Sequence, residues 1–232
     1  MSLLSGGLDS STVLAIAKNK GFEVTALSFS YGQRHSLELR SSERIANHFN
    51  IDRRVFNMDF QQIGSSSLTS SIPVEKRNLS EVGNSIPSSY VPARNSIFLT
   101  IAAAFAESLD ARTIFIGANA VDYSGYPDCR PEFFSSMERS INLGTKAGIS
   151  GRIRIVVPLQ FLTKGEIIRK GISLNVPYDL TYSCYNGEEE ACGECDSCLL
   201  RLKGFMEAGI PDPIRYKKYP AFYSDFIKKM KV

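Results

Sequence analysis

Two stretches of this sequence bring together residue types that can do chemistry, at a spacing that allows it. The first is Ser5-Gly6-Gly7-Leu8-Asp9-Ser10-Ser11, which follows the apolar pair Leu3-Leu4 and precedes a helix-like run at 12–17. Glycines let a backbone approach a charged ligand closely, and the free N–H groups at a helix start attract anions. The serine hydroxyls add donors, while Asp9 could hold Mg²⁺ or cap the loop's own N–H groups. This pattern predicts a phosphate-binding loop.

A plainer interpretation of the same stretch is a glycine turn followed by a serine that caps a helix. Three serines at a strand-to-helix junction favour the phosphate loop over that interpretation. The stretch is not a Walker loop, because no Gly-Lys-Ser/Thr follows it. It is not a dinucleotide fingerprint either, because that motif needs Gly-x-Gly-x-x-Gly.

The second stretch is a cluster of four cysteines, Cys184, Cys192, Cys195 and Cys198. Two closely spaced Cys-x-x-Cys steps can wrap one tetrahedral zinc ion, and Gly193 eases the tight turn between them. Four thiolates leave no open coordination position, so the predicted zinc is structural. An iron–sulfur cluster is the rival, since it also uses such steps, and a chance grouping of free thiols is the other alternative. The fifth cysteine, Cys129, stands apart and is not expected to be a ligand.

Composition narrows the class of protein further. The 232 residues are 43% hydrophobic, which supports a substantial core, and the net charge of +3 is spread along the chain. The sequence therefore predicts no nucleic-acid footprint, which would need a clustered basic face. No run approaches about 20 apolar residues, so no membrane segment is expected. Without an export signal, the crowded cysteines predict a reduced, cytoplasmic protein with a metal.

The elements that must position these residues alternate between strands and helices. Strands are predicted at 2–4, 22–29, 53–58, 113–116 and 153–157, and helices at 12–17, 37–49, 97–109, 131–141 and 164–172. Asn95 or Ser96 is the predicted cap of the third helix, and Thr163 with Glu166 forms a capping box. The first strand is short, which leaves open whether the natural chain begins upstream. The pattern predicts an α/β fold with a five-stranded, doubly wound parallel sheet.

The loops at 5–11, 31–35 and 117–130 each follow a predicted strand. The carboxyl ends of parallel strands meet at one edge, so these loops should converge on one site. Helical spacing over 37–49 turns Glu38, Arg40, Glu43 and Arg44 outward. Residues 61–90 hold nine serines and little periodicity, so they are a lid, a binding loop or a disordered segment.

The Ser-Gly-Gly-Leu-Asp-Ser-Ser stretch resembles the pyrophosphate loop of the ATP pyrophosphatases. That superfamily includes GMP synthetase, asparagine synthetase, NAD synthetase and the tRNA thiolases. Its members cleave ATP between the α- and β-phosphates and adenylate an oxygen of the substrate. The motif is specific for the superfamily and says little about the substrate. The resemblance implies an adenine nucleotide alpha hydrolase-like fold that uses ATP and Mg²⁺.

Further motifs make the resemblance closer over nearly the whole chain. They are Tyr31-Gly32-Gln33-Arg34-His35, Val91-Pro92-Ala93-Arg94-Asn95, Ser124-Gly125-Tyr126-Pro127-Asp128-Cys129-Arg130, Ser183-Cys184-Tyr185, the cysteine cluster and Asp212-Pro213. In this order they resemble the 7-cyano-7-deazaguanine synthases of queuosine precursor synthesis. That family is a ligase forming carbon–nitrogen bonds, which converts 7-carboxy-7-deazaguanine, ammonia and ATP into the nitrile through an amide. It carries the four cysteines as one structural Zn²⁺ site. The short first strand and the long loop at 61–90 depart from its pattern.

The resemblance implies a division of labour among the site residues. It implies an ATP-binding domain at 1–175 and a zinc-binding segment at 176–232 packed on it. The catalytic residues are expected to be Asp9, Ser10 and Arg94. ATP is expected to contact Leu4, Ser5, Gly6, Gly7, Leu8, Asp9, Ser10, Ser11 and Gly117. The substrate is expected to contact Tyr31, Gln33, Arg34, Asn95, Asp122, Tyr126, Asp128 and Arg130.

The base itself would need an aromatic face, an acid or amide, and a cation near its carboxylate. The loop at 117–130 supplies Tyr126, Asp122 or Asp128, and Arg130. The alternative is that Asp128 and Arg130 pair with each other and merely hold the loop. Taken singly, Arg34, Arg94 and Arg130 could also be ordinary surface charges.

Two other functions stay open at this point. One is a tRNA-modifying thiolase of the same superfamily, which would want a catalytic cysteine and an RNA-binding extension. The other is a zinc-stabilised nucleotide-binding module without catalysis. The expected partners are a small-molecule deazapurine carboxylate and ammonia, with no nucleic acid and no membrane, and a homodimer stays open.

Overall fold

The computed structural model describes residues 1–32, 37–64, 66–121, 126–187 and 189–230 of the chain. Five parallel strands form one sheet in the order β3-β2-β1-β4-β5. The strands are β1 at Ser2–Leu3, β2 at Ala26–Ser30, β3 at Arg53–Asn57, β4 at Thr113–Phe115 and β5 at Arg154–Val156. Helices lie on both sides of the sheet, so the predicted doubly wound α/β class is confirmed.

Eight helices accompany these strands in the described part of the chain. They are α1 at Leu8–Asn19, α2 at Leu37–His48, α3 at Arg94–Ser108, α4 at Pro131–Gly144, α5 at Lys146–Ser150, α6 at Lys164–Ser173, α7 at Asp196–Ala208 and α8 at Ala221–Met230. The predicted capping box of α6 is confirmed, because Thr163 accepts from the Glu166 N–H and Glu166 from the Thr163 N–H. In the described residues, no helix has the length and apolar character needed to cross a bilayer.

The two-residue strand β1 is the centre of the sheet. Ser2 pairs with Ala26 of β2 on one side and with Phe115 of β4 on the other. The chain runs outward from β1 through β2 to β3 and then returns to place β4 on the opposite side of β1. Strand order therefore reverses between β1 and β4, where parallel sheets open a crevice for ligands.

Strand β4 shows how the sheet supports a core on each face. Ile114 belongs to an apolar cluster with α3 and α4, whereas the next residue, Phe115, belongs to a cluster with α1, α6 and α7. Successive side chains of a strand point to opposite faces, so one short strand serves both layers. All of the residues of β4 except the half-buried Thr113 are buried, as expected for a strand covered on both faces.

The second strand begins four residues later than predicted. The strand pairs of β2 begin at Ala26, which pairs with Ser2 on one side and with Arg53 on the other. Phe22 is 43% exposed and packs its ring edge-on against Phe115 instead. The sequence at 22–29 is mostly apolar, but only its second half lies alongside the neighbouring strands.

The start of α3 corrects the predicted cap. The helix begins at Arg94, and its cap residue Ala93 is left-handed and makes no side-chain cap bond. The buried carboxylate of Asp128, 33 residues away in sequence, accepts the Asn95 N–H at 3.0 Å. Neither Asn95 nor Ser96 is therefore the cap. A carboxylate on a helix N-terminus is stabilised by the free N–H groups and by the dipole.

The long segment at 61–90 is packed against the protein at both of its ends. Ser66 and Ser67 are fully buried, and Ser89 is 4% exposed. The Ser67 N–H donates to the Ser88 carbonyl at 2.8 Å, which joins the two ends of the loop. The only regular structure between them is a short 3-10 turn at Leu79–Glu81.

A buried ion pair holds the C-terminal segment together internally. Helices α6 and α7, on either side of the predicted boundary at residue 175, share one apolar cluster, and the division itself stays a prediction. Arg201 of α7 donates to both carboxylate oxygens of Asp212 at 2.7 and 2.9 Å. Their side chains are 3% and 1% exposed. Arg201 also donates to Thr181, and Tyr216 donates its hydroxyl to Asp212.

We expect Asp212→Asn to lower the free energy of unfolding by about 3–5 kcal/mol, because it leaves the Arg201 charge buried without its counter-charge. Urea unfolding followed by circular dichroism measures the difference. Asp225→Asn is the matched control, since Asp225 pairs with Lys228 on the surface at 3.6 Å and should cost less than about 1 kcal/mol. A loss of less than 1 kcal/mol for Asp212→Asn would contradict the role assigned to this pair.

Candidate functional site

A cavity of about 290 Å³ opens at the carboxyl end of the sheet, where strand order reverses. The loop after β1 forms one wall, and Gly117 and Ala118, which follow β4, form another. The first turn of α3 and residues 182–185 close the remaining sides. The predicted convergence of the loops after the strands is confirmed for their described residues.

Two glycines allow the loop after β1 to take its position. Gly6 has a φ of +89°, and a Cβ there would lie 2.5 Å from the Glu38 carbonyl oxygen and 2.5 Å from the Ser42 nitrogen. A Cβ on Gly117 would lie 3.0 Å from the Ser10 nitrogen. The backbones of α2 and of the loop after β4 therefore touch the backbone at 5–11 from both sides. Only residues without a side chain permit this approach.

The serines of this loop bond to the loop itself. Ser5 and Ser10 place their hydroxyl oxygens 3.0 Å apart, and the Ser11 hydroxyl donates to the Gly7 carbonyl at 2.8 Å. The Gly7 N–H donates to the Ser5 hydroxyl at 3.3 Å. These bonds hold the loop in one shape, with Ser5 exposed and Ser11 fully buried. Ser5 and Ser10 line the cavity, whereas Gly6 and Ser11 pack behind it.

Asp9, at the start of α1, forms an ion pair with Lys164 of α6. The ammonium nitrogen lies 2.9 and 2.8 Å from the two carboxylate oxygens. The Lys164 side chain is 10% exposed and that of Asp9 29% exposed, so the pair is partly shielded from water. Both residues line the cavity. The Lys164 cation thus lies beside Asp9 of the loop in space, although the two residues are 155 positions apart in the sequence.

A second cation, Arg94, stands at the opposite wall. Its guanidinium lies 5.7 Å from the centre of the Tyr126 ring, within cation–π range. Burial by itself would lower the pKa of Arg94, but the neighbouring Tyr31, Tyr126 and Asp128 outweigh burial and raise that pKa. The guanidinium is therefore held in its charged form between aromatic rings. Burial raises the pKa of the Tyr31 hydroxyl to about 12.

Glu38 corrects a prediction from helical spacing. Arg40, Glu43 and Arg44 of α2 are exposed as predicted, but Glu38 is half-buried and lines the cavity. Burial raises the pKa of its carboxyl group to about 7, Arg94 opposes that shift, and the charge of Cys184 adds to it. The site therefore contains a carboxyl group that titrates near neutral pH.

Most of the residues predicted from the sequence line the same cavity. They are Leu4, Ser5, Gly7, Leu8, Asp9, Ser10, Tyr31, Arg94, Asn95, Gly117 and Tyr126. Asp128 is buried at the start of α3 rather than on the cavity wall. Arg130 is exposed and bonds the Pro127 carbonyl, so it does not pair with Asp128. Three predicted residues, Gln33, Arg34 and Asp122, lie outside the described part of the chain.

Sequence reasoning missed three charged residues that line the cavity, namely Lys164, Glu38 and Arg201. Lys164 carried a usable signal, because a cation in the first turn of a helix lies against the positive end of the helix dipole. Such a placement is unfavourable unless an anion compensates it, which Asp9 does. Glu38 and Arg201 gave no comparable signal in the sequence.

The four clustered cysteines are buried and close together. Their sulfur atoms all lie within 4.8 Å of one another, and those of Cys192 and Cys198 are 3.9 Å apart. Thiolates around a tetrahedral zinc with bonds of about 2.3 Å stand about 3.8 Å apart, so the donor set fits that ion. The N–H groups of Glu194 and Cys195 point at the Cys192 sulfur, as a thiolate acceptor requires. Cys129 is not part of this group.

The cysteine-bearing segment also touches the loop after β1. The Tyr182 N–H donates to the Gly6 carbonyl at 2.9 Å, two residues before Cys184. Ser183 and Tyr185, on either side of Cys184, line the cavity. The cysteine cluster therefore anchors one wall of the site.

Comparison with known proteins agrees with this geometry. The sequence model described as queuosine biosynthesis protein QueC matches residues 1–209. The chain belongs to the QueC family. Members from two archaea, both named 7-cyano-7-deazaguanine synthase, are similar over 99% of this chain. The protein from Thermoplasma volcanium is 62% identical over 95% of its own length, and that from Thermoplasma acidophilum 61% over 96%. The resemblance inferred from the motifs is confirmed.

The fold of this QueC chain also occurs in a distant solved structure. A 4-thiouridine synthetase, solved with RNA and bound ATP, is similar over 99% of this chain and 50% of that chain. The identity is 20% and the TM-score is 0.50. At this identity, the similarity bears on the fold alone.

We expect one zinc ion per QueC chain, and we expect Cys195→Ser to remove it and to lower the melting temperature. Structural zinc binding contributes directly to folding, with apparent free energies of about 10–16 kcal/mol in small zinc peptides. Elemental analysis and thermal denaturation measure both effects. Cys129→Ser is the control, because it removes a buried thiol outside the cluster and should keep the zinc. Iron with sulfide, or no metal in the unaltered protein, would contradict this prediction.

Proposed function

We propose that this QueC-family chain converts 7-carboxy-7-deazaguanine and ammonia into 7-cyano-7-deazaguanine with two activations by ATP. The observation that carries the proposal is the cavity between β1 and β4. There the loop after β1, the ammonium of Lys164 and the guanidinium of Arg94 surround one space beside an aromatic wall. The names of the two Thermoplasma relatives agree with this reaction.

The chemistry requires activation because a carboxylate is a poor acyl donor. Its leaving group would be oxide, whereas adenylation makes the leaving group a phosphate ester. Attack by ammonia then produces the amide, and a second adenylation of the amide oxygen permits its loss as the nitrile forms. The protein must hold two anions side by side and neutralise charge that develops on the phosphates.

In this proposal, the loop at 5–11 and Lys164 bind the phosphates of ATP. The Asp9 carboxylate and the phosphates compete for the same ammonium, so Lys164 is already aimed at the place where phosphate oxygens would arrive. Mg²⁺ would accompany ATP and supply further positive charge. Asp9 is the candidate protein ligand for it once Lys164 has turned to the phosphates.

The aromatic wall would bind the base. Tyr31, Tyr126 and Phe98 line the cavity, and aromatic rings stack on such a heterocycle. Arg94 takes the role of the carboxylate's cation, which was predicted for Arg130, because Arg94 lines the cavity and Arg130 is exposed. Asn95 lines the same wall, and its side-chain amide donates to the Asp128 carbonyl. Gln33, Arg34 and Asp122 stay candidate contacts on the basis of the sequence.

In this proposal, four of the five cysteines bind a structural ion, and the fifth has no role in the reaction. We assign Zn²⁺ to the four clustered cysteines as a structural ion that anchors residues 182–185 beside Gly6. Cys129 lines the cavity, but burial raises the pKa of its thiol to about 12, which makes it a poor nucleophile. This favours the synthase over a thiolase, which would use a cysteine nucleophile. Location in the cytoplasm and assembly as a homodimer stay predictions from the sequence.

Product analysis tests the proposed function. The purified chain is incubated with ATP, Mg²⁺, ammonium and 7-carboxy-7-deazaguanine, and products are separated by chromatography with mass detection. We expect the nitrile together with AMP and pyrophosphate, and the amide as an intermediate. ADP with phosphate, or turnover that does not depend on the deazaguanine, would contradict the proposal. Asp9→Asn is expected to lower the rate by at least about 100-fold without unfolding the chain.

We expect Lys164→Met to weaken ATP binding at least about 10-fold, because it removes one charge-assisted contact of about 1.5–3 kcal/mol. Isothermal titration of the variant with Mg²⁺ and ATP measures the dissociation constant. Lys203→Met is the matched control, because Lys203 lies on α7 and pairs with Glu207 at 3.5 Å. Equal dissociation constants for Lys164→Met and the unaltered chain would contradict the role of Lys164.

A further inference from the structure

We propose that Glu38 is the proton acceptor for the ammonia that attacks the adenylated substrate. The assignment rests on the proposed function. It adds a catalytic group that neither the sequence motifs nor the names of the relatives point to. Two observations support the assignment. Glu38 lines the cavity, and the other acidic side chains on the described wall are either paired or protonated.

The step requires such a group for reasons of chemistry. When the nitrogen lone pair forms the C–N bond, the C–O bond to the phosphate breaks and its electron pair leaves with AMP. The nitrogen then carries three hydrogens and a positive charge, and it must lose one proton to become a neutral amide. A carboxylate within reach takes that proton and becomes a carboxylic acid. A positioned proton acceptor typically contributes about 10²–10⁴ in rate.

The described wall of the cavity offers few alternatives to Glu38. The other carboxylate, Asp9, is bound by Lys164 through both of its oxygens. The remaining acidic side chains on the described wall are phenols and one thiol, which are ordinarily protonated at neutral pH: Tyr31, Tyr126, Tyr182, Tyr185 and Cys129. A protonated phenol or thiol cannot take up a proton at neutral pH.

Glu38 is placed where ammonia would have to attack. Its backbone touches the loop after β1, because its carbonyl oxygen lies against Gly6. Its side chain lines the cavity together with Tyr31 and Arg94, which we assign to the substrate. Glu38 is thus next to the loop that we assign to the phosphates and lines the same cavity as the residues that we assign to the substrate.

The groups that face Glu38 suit it to this task. Tyr31, which follows β2, and Arg94, which begins α3, line the cavity with Glu38. Burial raises the pKa of the carboxyl group to about 7, with Arg94 opposing the shift. A proton acceptor works best when its pKa lies near the working pH. The same burial means that the charged form is held at a cost to the folded state, so the group is not there for stability.

Two half-reactions distinguish the attack by ammonia, which includes the proton transfer, from the adenylation that precedes it. Exchange of labelled pyrophosphate into ATP, with 7-carboxy-7-deazaguanine and without ammonia, reports adenylation only. Single-turnover formation of the amide after addition of ammonium reports the attack. We expect Glu38→Gln to leave the exchange rate within threefold of the unaltered chain and to slow amide formation at least about 100-fold. Its melting temperature at pH 8 should not fall, because glutamine removes a penalised charge.

Glu43→Gln is the matched control, since Glu43 is an exposed residue of the same helix and should change neither rate. Glu38→Asp gives a second test, because it keeps the carboxylate and should keep more of the amide rate than Glu38→Gln. Amide formation within threefold of the unaltered chain in Glu38→Gln would overturn the assignment. An equal loss of both half-reactions, or a lower melting temperature, would assign Glu38 a structural role instead. Absence of exchange in the unaltered chain would overturn the proposed function itself, and this assignment with it.

Discussion

The structure depends on the close approach of three backbone segments at the carboxyl end of β1. Gly6 touches the first turns of α2, and Gly117 touches the first turn of α1. Because these contacts are between main chains, they bring β1, β4 and α2 close together at this point. Every side chain of the cavity is carried on one of these segments or on an element packed against them. The geometry of the site therefore follows from two positions where no side chain fits.

The second constraint is the placement of charged side chains around the cavity at the carboxyl end of β1. Asp9 with Lys164 on one side, and Arg94 with its aromatic neighbours on the other, place two cations about the space where anionic ligands are expected. Asp9 compensates Lys164, and Tyr31, Tyr126 and Asp128 favour the charged form of Arg94, because burying an unpaired charge is strongly unfavourable. A buried ion pair, Arg201 with Asp212, likewise lies within the cysteine-bearing segment.

Local signals predicted much of this arrangement from the sequence, and contacts distant along the chain account for what was missed. The capping box at Thr163 and the spacing of the four cysteines are local patterns, and the structure agrees with both. The cap of α3 comes from Asp128, far along the chain, so no pattern near residue 94 could indicate it. Glu38 obeys helical spacing, yet the loop after β1 covers that part of α2. Lys164 was missed because its partner Asp9 lies 155 residues away.

The pairing of Asp9 with Lys164 has a consequence for how the empty and the loaded site are related. The ammonium of a solvent-exposed lysine loses its hydration shell when a ligand binds, and this desolvation makes binding less favourable. Lys164 is already shielded, since its side chain is 10% exposed. An arriving anion has only to replace one carboxylate as the partner of the ammonium, by rotation about the bonds of a single side chain. Under the proposed function, the Asp9 carboxylate occupies the place of the ligand's anion, and binding exchanges one anion for another instead of dehydrating an exposed ammonium.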